Sequence, residues 1–351
     1  MSKPRTHHGL VVPIHARLRG RLRWRVLDER GVPEVPRNPS GFALGPVEGV
    51  EQHNLITNAG LDRVATLDIN QPEYRNVLAV GTGSVAPAFT DVQLDAEVQR
   101  GTNPLGVTDI VTHETDTVGK VWRFSRAITR GLTMTADRNL TEFGLTSFTT
   151  VGGGPLNIRE LFRDGVGTPV TISLLNGKTI RIDHTLHCEF PRPDNWVTGT
   201  VTVEEYDAVN ALISTDTVNV YYVPASAGGS AAIWLKDMWN PTLSSSLTGA
   251  SGIHTRLATP DLDSNHFPGL VISPRRELSI TSYTAGTYQR LKRATLLESD
   301  SNGTWVGFMC SFSGADGRNA TVAVNFEAPF EFVKDDTKTA RVGFYSTWAR
   351  A

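Results

Sequence analysis

Cysteine is scarce in this chain: 351 residues hold two, Cys188 and Cys310. That excludes a disulfide-stapled scaffold, which carries cysteine at a much higher density. Each cysteine lies in a strand-like run, His184 to Phe190 and Trp305 to Phe312. Two buried thiols are expected, with one disulfide as the alternative. Excess charge is missing too, since 34 Lys and Arg against 36 Asp and Glu leave a formal −2. A general nucleic-acid binder needs a basic surplus to neutralise phosphate, so that class is set aside. No run approaches a membrane span, and Met1 to His8 lacks the apolar core of a signal peptide. The expectation is a protein that matures in the cytoplasm of the cell that makes it. Long helical periodicity is nearly absent as well.

What is abundant points the same way. Gly 32 and Pro 19 suit a chain rich in turns, and 39% hydrophobic with 20% charged residues suits a folded core. At this length the chain can bury one large core or two smaller ones. The expected class is all-β (β-dominated), an antiparallel β-sandwich with short helices and long loops. Residues 1–50 read as an N-terminal β-hairpin arm and linker. Residues 51–351 read as the β-sandwich core, with an inserted or loop-rich segment at 200–275.

Ala16 to Val26 alternates strictly. Arg17, Arg19, Arg21, Arg23 and Arg25 share one side, and Ala16, Leu18, Gly20, Leu22, Trp24 and Val26 the other. Period two predicts a strand with one buried and one cationic face. Val32 to Val35 can return as its hairpin partner after the turn at Asp28 to Gly31. Two readings stand for the arginine row. It is a solvated face that also blocks edge pairing, or it is a docking face for an acidic neighbouring subunit. The row has no acidic partner close by in sequence.

The stretch Asn54 to Arg100 organises the rest. Asn58 is placed to cap a helix over Ala59 to Leu67. Val77 to Val80 is a continuous apolar run, as in a strand buried on both faces. Gly81-Thr82-Gly83 ends it, and Pro87 and Asp91 keep the chain irregular to Leu94. In composition, order and spacing this stretch resembles a block of tailed-phage tail, baseplate and fibre-associated proteins. There, N-x-I-T-N-x-G-L-D is followed by V-G-T-G, A-P, T-D and L. Later pieces continue the resemblance in order. They are Thr141-Glu142-Phe143-Gly144-Leu145, the strand around Arg159 to Arg163, Pro169-Val170-Thr171-Ile172, and the long strand Lys178 to Phe190. It spans about Val26 to Phe190. The ending, with Phe330, Phe332 and Lys334 and then Ser346, Trp348 and Arg350, resembles the final strand pair of the same proteins.

Further along, Thr202-Val203-Glu204-Glu205 has the form of a capping box, predicting a helix to Ile213. Val218 to Val223 reads as a strand. Trp234 to Ser264 is the least patterned region, and its Trp234 and Trp239 are expected to pack on the chain itself or on a partner. Five strand candidates follow: Glu277 to Tyr283, Tyr288 to Leu297, Thr304 to Phe312, Ala320 to Phe332 and Thr339 to Trp348.

Chemical motifs are thin. Gly81 to Ala86 fits a loose dinucleotide glycine pattern, but Pro87 breaks the helix such a site needs. Gly177-Lys178-Thr179 lacks the upstream glycine of a P-loop. Asp261 to Asn265 and Glu298 to Gly303 open like calcium loops, without the distal glutamate. His184 and Cys188 share a strand face while His187 points away, so they do not converge as zinc ligands. Glu142, Glu160 and Asp183 remain as carboxylates that a fold can bring together as in glycosidases. The reading carries no catalytic, cofactor-binding or metal residues and expects no enzyme. The resemblance implies a virion structural protein of the tail, tail tip, collar or fibre attachment, made in the host bacterial cytoplasm. Partners are copies of itself, as a ring or trimer, other phage tail or virion proteins, and in one version a host surface receptor. The interface residues expected are Arg17, Arg19, Arg21, Arg23, Arg25, Trp234 and Trp239, with the loop from Ala86 to Leu94. The alternatives are a receptor- or glycan-binding tip protein using Trp234, Trp239 and Trp305, and a tail-borne polysaccharide hydrolase.

Overall fold

The computed structural model describes residues 10–46, 49–66, 75–102, 110–116, 118–191, 197–206, 211–226 and 245–251. Beyond these it describes 271–272, 276–277, 279–280, 283–296, 303–305, 307–313, 319–326, 332–334 and 339–350. Side-chain surroundings are described mainly between 16 and 191. In chain order the first elements are β1 (Leu10–Leu27), β2 (Pro33–Glu34), β3 (Val50–Ile56), α1 (Asn58–Thr66), β4 (Val77–Gly81), β5 (Glu97–Gly101), β6 (Ile110–Asp116) and β7 (Val121–Thr133). Next come β8 (Arg138–Leu140), β9 (Glu142–Thr146), β10 (Leu156–Leu161), β11 (Ile172–Leu174), β12 (Thr179–Pro191), β13 (Val197–Tyr206), β14 (Leu212–Ser226), β15 (Ser245–Ser251) and β16 (Val271–Ile272). The last are β17 (Arg276–Glu277), β18 (Ser279–Ile280), β19 (Gln289–Leu296), β20 (Gly303–Trp305), β21 (Gly307–Ser313), β22 (Asn319–Phe326), β23 (Phe332–Lys334) and β24 (Thr339–Arg350).

The chain is β-dominated, with 53% strand, one short helix, and an antiparallel sheet curled into a half-barrel beside a small sheet. β1 is its spine. One edge of β1 pairs with β12 from Arg17 to Leu27. The other edge meets three strands in turn: β24, in parallel, up to Leu18, then β3 from Gly20 to Trp24, then β2. The segment 1–50 therefore supplies the hairpin β1–β2 and places β1 between β12 and β3. From β12 the sheet runs on through β7 to β6. From β3 it runs through β10, β9 and β4 to β5. The curl lets the two arms face each other across a shared core. Leu18, Leu22, Trp24, Val26, Phe124, Ile128, Ile182 and Leu186 are buried from one arm, and Leu78, Val80, Phe143, Leu145, Leu156 and Ile158 from the other. Trp24 and Phe162 meet edge to face at 5.6 Å, and Phe143 lies 4.9 Å from Phe162.

On the far side, β24 also pairs with β19 and, near its start, with β13. The ladder then continues β13–β14–β22–β21–β15. The five C-terminal strand candidates thus all carry strands. The helix expected from Thr202 is not there: Thr202 to Glu205 lies within β13, paired with Thr217 to Ser214 of β14. Val197, Gly199, Val201 and Val203 alternate with polar residues, and this period-two signal, with a partner strand to pair with, wins over the local capping pattern.

α1 starts where expected, but Thr57 rather than Asn58 caps it. Thr57 Oγ1 accepts from the Gly60 N–H at 2.9 Å, the reach of an N-cap side chain to the third helical position. Asn58 Oδ1 instead accepts from Arg350 Nη2 at 2.5 Å. α1 lays Leu61 and Val64 into the core. No helix among the described residues is long and apolar enough to cross a membrane.

Candidate functional site

β1 holds its five arginines on the open side of the sheet, while Leu18, Leu22, Trp24 and Val26 are almost wholly buried behind them. Acidic partners, absent nearby in sequence, arrive from neighbouring strands. Arg19 Nη2 donates to Glu189 of β12 at 2.8 Å, Arg23 pairs with Glu51 of β3, and Arg25 pairs with Asp183 of β12. Two of these pairs run diagonally across the ladder, since His187 lies opposite Arg19 and Arg181 opposite Arg25. The network widens across the sheet: Arg123 of β7 reaches Glu189 at 2.8 Å and Glu114 of β6 at 2.6 Å. Arg181 shares Asp183 with Arg25 and with the hydroxyl of Thr129. Burial opposes charge on Asp183, but the Thr129 hydroxyl and the Arg25 and Arg181 guanidiniums outweigh it and hold its pKa below the ordinary value. Arg17 and Arg21 are exposed and make no ion pair or side-chain hydrogen bond among the described residues. Cations therefore outnumber carboxylates on this face.

A depression of about 530 Å³ opens between β1, β6, β7 and β12. Its walls carry Arg19, Arg21, Arg123, Glu114, His187 and the hydroxyl side chains Thr112, Ser125 and Thr185, with Ala127 among them. Ser125 Oγ and His187 Nδ1 are 2.7 Å apart. Burial and then the positive charges of Arg19, Arg123 and Arg21 lower the His187 pKa to about 4, so the ring is neutral near pH 7. Arg19 Nε is buried without a hydrogen-bond partner in the described structure.

A second constellation lies inside. The Glu142 side chain of β9 is fully buried and accepts from the backbone N–H of Gly83, Asp95 and Ala96 at 3.1, 3.1 and 2.8 Å. Arg159 of β10 donates to it through Nε and Nη2, at 3.2 and 2.8 Å. The same guanidinium pairs with Asp91 and donates to Val85 O at 3.1 Å. One arginine and one glutamate thus anchor both ends of the loop 82–96 to the sheet. The glycines of Gly81-Thr82-Gly83 serve this cluster. A Cβ at either position would lie 2.6 and 2.4 Å from Glu142 Oε1, so the space a phosphate would need is filled by a carboxylate. The loop leaves Val85, Phe89 and Val92 more than half exposed. Phe89 also lies under the Arg350 guanidinium, 4.1 Å from its ring centre.

The remaining residues singled out in the sequence fall apart in space. Glu142 and Glu160 project to opposite faces of their strand pair. Glu160 is engaged with Arg163 at 3.1 Å and Asp183 with Arg25 and Arg181, so the three carboxylates do not meet. His184 faces inward, where its Nδ1 meets Arg75 and its Nε2 lies 3.0 Å from Asn54 Oδ1. Burial and then Arg75 push its pKa well below 6.5. Cys188 is a free, buried thiol, its pKa raised by burial; the side chain of Cys310, on β21, is outside the described residues. Gly177 sits in the turn before β12 with a left-handed φ of 84°. Among the described residues no group of three or more His, Cys, Asp or Glu is placed to hold a metal ion. Trp234, Trp239 and the calcium-like starts at 261–265 and 298–302 lie outside the described residues. The sequence reading missed the Asp91–Arg159–Glu142 cluster and the depression. Each depends on strand register, and the one local hint was a charged residue in the middle of an apolar strand. No family model, no curated protein and no solved structure matches this chain.

Proposed function

We propose that the chain is a structural subunit of a tailed-phage particle, in the tail, tail tip, collar or fibre-attachment region. Its work is to assemble with copies of itself and with neighbouring virion proteins. The observation that carries this reading is the buried Asp91–Arg159–Glu142 cluster. Its three residues come from three of the several stretches on which the resemblance to phage proteins rests: the T-D of Thr90-Asp91, Thr141 to Leu145, and Arg159 to Arg163. Together they hold the loop 82–96 against the sheet while Val85, Phe89 and Val92 stay in solvent. A loop ordered in advance loses little entropy when it binds, and apolar side chains suit the centre of an interface. The open arginine face offers a second surface with cations left over for a partner.

The test is made on particles. Mass spectrometry of purified particles should find the chain at a fixed stoichiometry. Particles produced without it should lack part of the tail when viewed by electron microscopy. Complete, infectious particles that never contain the chain overturn the reading.

A further inference from the structure

We propose that the depression between β1, β6, β7 and β12 is a carboxylate site, occupied by an aspartate or glutamate side chain from an acidic segment of a neighbouring polypeptide. This rests on the subunit reading above and names the partner chemistry at one place on the open face.

The donors are already set for such a group. Arg21 lines the depression and has no ion pair within the described chain. Arg19 lines it too, with 35% of its side chain exposed beside its pair with Glu189. The Ser125 hydroxyl can donate to His187 Nδ1, which leaves the ring proton on Nε2 as a further donor. The same face shows the chemistry it accepts, because Glu189 already bridges Arg19 and Arg123 at 2.8 Å to each. An incoming carboxylate extends that ladder by one rung.

The lining also sorts among anions. Arg19, Arg21 and Arg123 set against Glu114 and Glu189 leave one positive charge over, which a singly charged carboxylate neutralises and a doubly charged phosphate exceeds. No Phe, Tyr or Trp side chain lines the depression, so a sugar ring finds no such platform. The volume of about 530 Å³ suits a side chain with its flanking backbone.

The experiment uses the full chain and a hexaglutamate peptide, with glucuronate and inorganic phosphate as the other arms. Binding is read by calorimetry and by the ring NMR signals of His187. Hexaglutamate should bind, and more weakly as salt rises from about 50 to about 300 mM. Arg21→Gln should weaken it about tenfold, the loss of one charge-assisted contact. Arg21 is exposed, so the variant should keep the parent melting temperature; Arg21→Lys, which retains the charge, should recover part of the affinity. A bound carboxylate favours the protonated ring, so the His187 pKa should rise above its free value of about 4. The proposal is overturned if hexaglutamate does not bind, if Arg21→Gln binds as well as the parent, or if His187 does not move. Tighter binding of phosphate or glucuronate than of hexaglutamate at this site also overturns it. Because the isolated chain is used, the outcome is separable from the subunit reading. Peptide binding by a chain absent from particles would sink that reading and leave the site standing.

Discussion

Arg159 touches two carboxylates and a backbone carbonyl while only 3% of its side chain is exposed. Replacing it by methionine removes the cation and leaves the Glu142 carboxylate buried against three backbone N–H groups. Breaking one side of a buried pair typically costs about 3–5 kcal/mol. Arg159→Met should therefore lower the unfolding free energy from urea titration by that order, and it should free the loop 82–96. Faster chymotrypsin cleavage after the exposed Phe89 is the local readout; a variant that unfolds earlier yet protects Phe89 as well as the parent would detach the loop from the cluster. His187 makes a separate prediction. Its folded pKa of about 4 lies below its ordinary 6.5, so between those values the unfolded chain binds a proton that the folded chain refuses. Stability from this group is present in full above pH 6.5 and is lost as pH falls towards 4. His184 acts in the same direction. The urea midpoint should drop across that window, and His187→Gln should make the drop shallower. An unchanged slope in the variant would show that His187 does not titrate this way.

α1 is held by its neighbours more than by its own sequence. Gly60 rests against the backbone of Asn157, and an added Cβ would sit 2.1 Å from that carbonyl oxygen. Alanine for glycine inside a helix is ordinarily worth about 1 kcal/mol in favour of the fold. Here the obstacle is backbone, which cannot swing aside, so Gly60→Ala should instead destabilise by roughly 1–3 kcal/mol. Equilibrium denaturation decides the sign, and a stabilised variant would refute the contact. Thr57→Ala tests the cap by the same measurement. It loses the bond to the Gly60 N–H and the Thr57 hydroxyl's bond to Leu156 O, and about 1 kcal/mol is expected from the cap alone. Elements differed in how far the sequence disclosed them. β1 was plain because one face is buried and the other charged, which is the condition for period two to be visible. β4 was plain because Val77 to Val80 is apolar on both faces, and all four are fully buried. β9 and β10 were blurred by Glu142, Asn157, Arg159 and Glu160, polar or charged side chains that are nonetheless buried. At Thr202 to Glu205 a local pattern that also fits a helix start hid a strand whose partner, β14, begins at Leu212.

At the scale of the molecule, the pairings that set the architecture join residues far apart in the chain. β1 meets β12 some 160 residues later and β24 at the end of the described chain, and neither register is written in any local pattern. The arginine row shows the consequence. Its alternation was legible, but the pairing of Arg19, Arg23 and Arg25 with Glu189, Glu51 and Asp183 needed the registers of β3 and β12. β24 is the element through which the curled sheet and the C-terminal strands share hydrogen bonds, with β1 and β13 on one edge and β19 on the other. Its Trp348 is 3% exposed, donates from Nε1 to Leu61 O of α1 at 2.9 Å and lies 5.6 Å from the Tyr283 ring. Tyr283 in turn donates to Asp62 of the same helix at 2.5 Å. One side chain thus packs at the junction of the helix, β24 and the segment before β19. Trp348→Ala should cost about 3–5 kcal/mol, as expected for truncating a buried tryptophan. Because β24 belongs to both ladders, the loss should be felt by both. Hydrogen exchange should accelerate in β12 and in β22 by similar factors, within one unfolding transition. Acceleration confined to one of these strands, or a melt that splits in two, would show that the two ladders unfold independently and that β24 does not couple them.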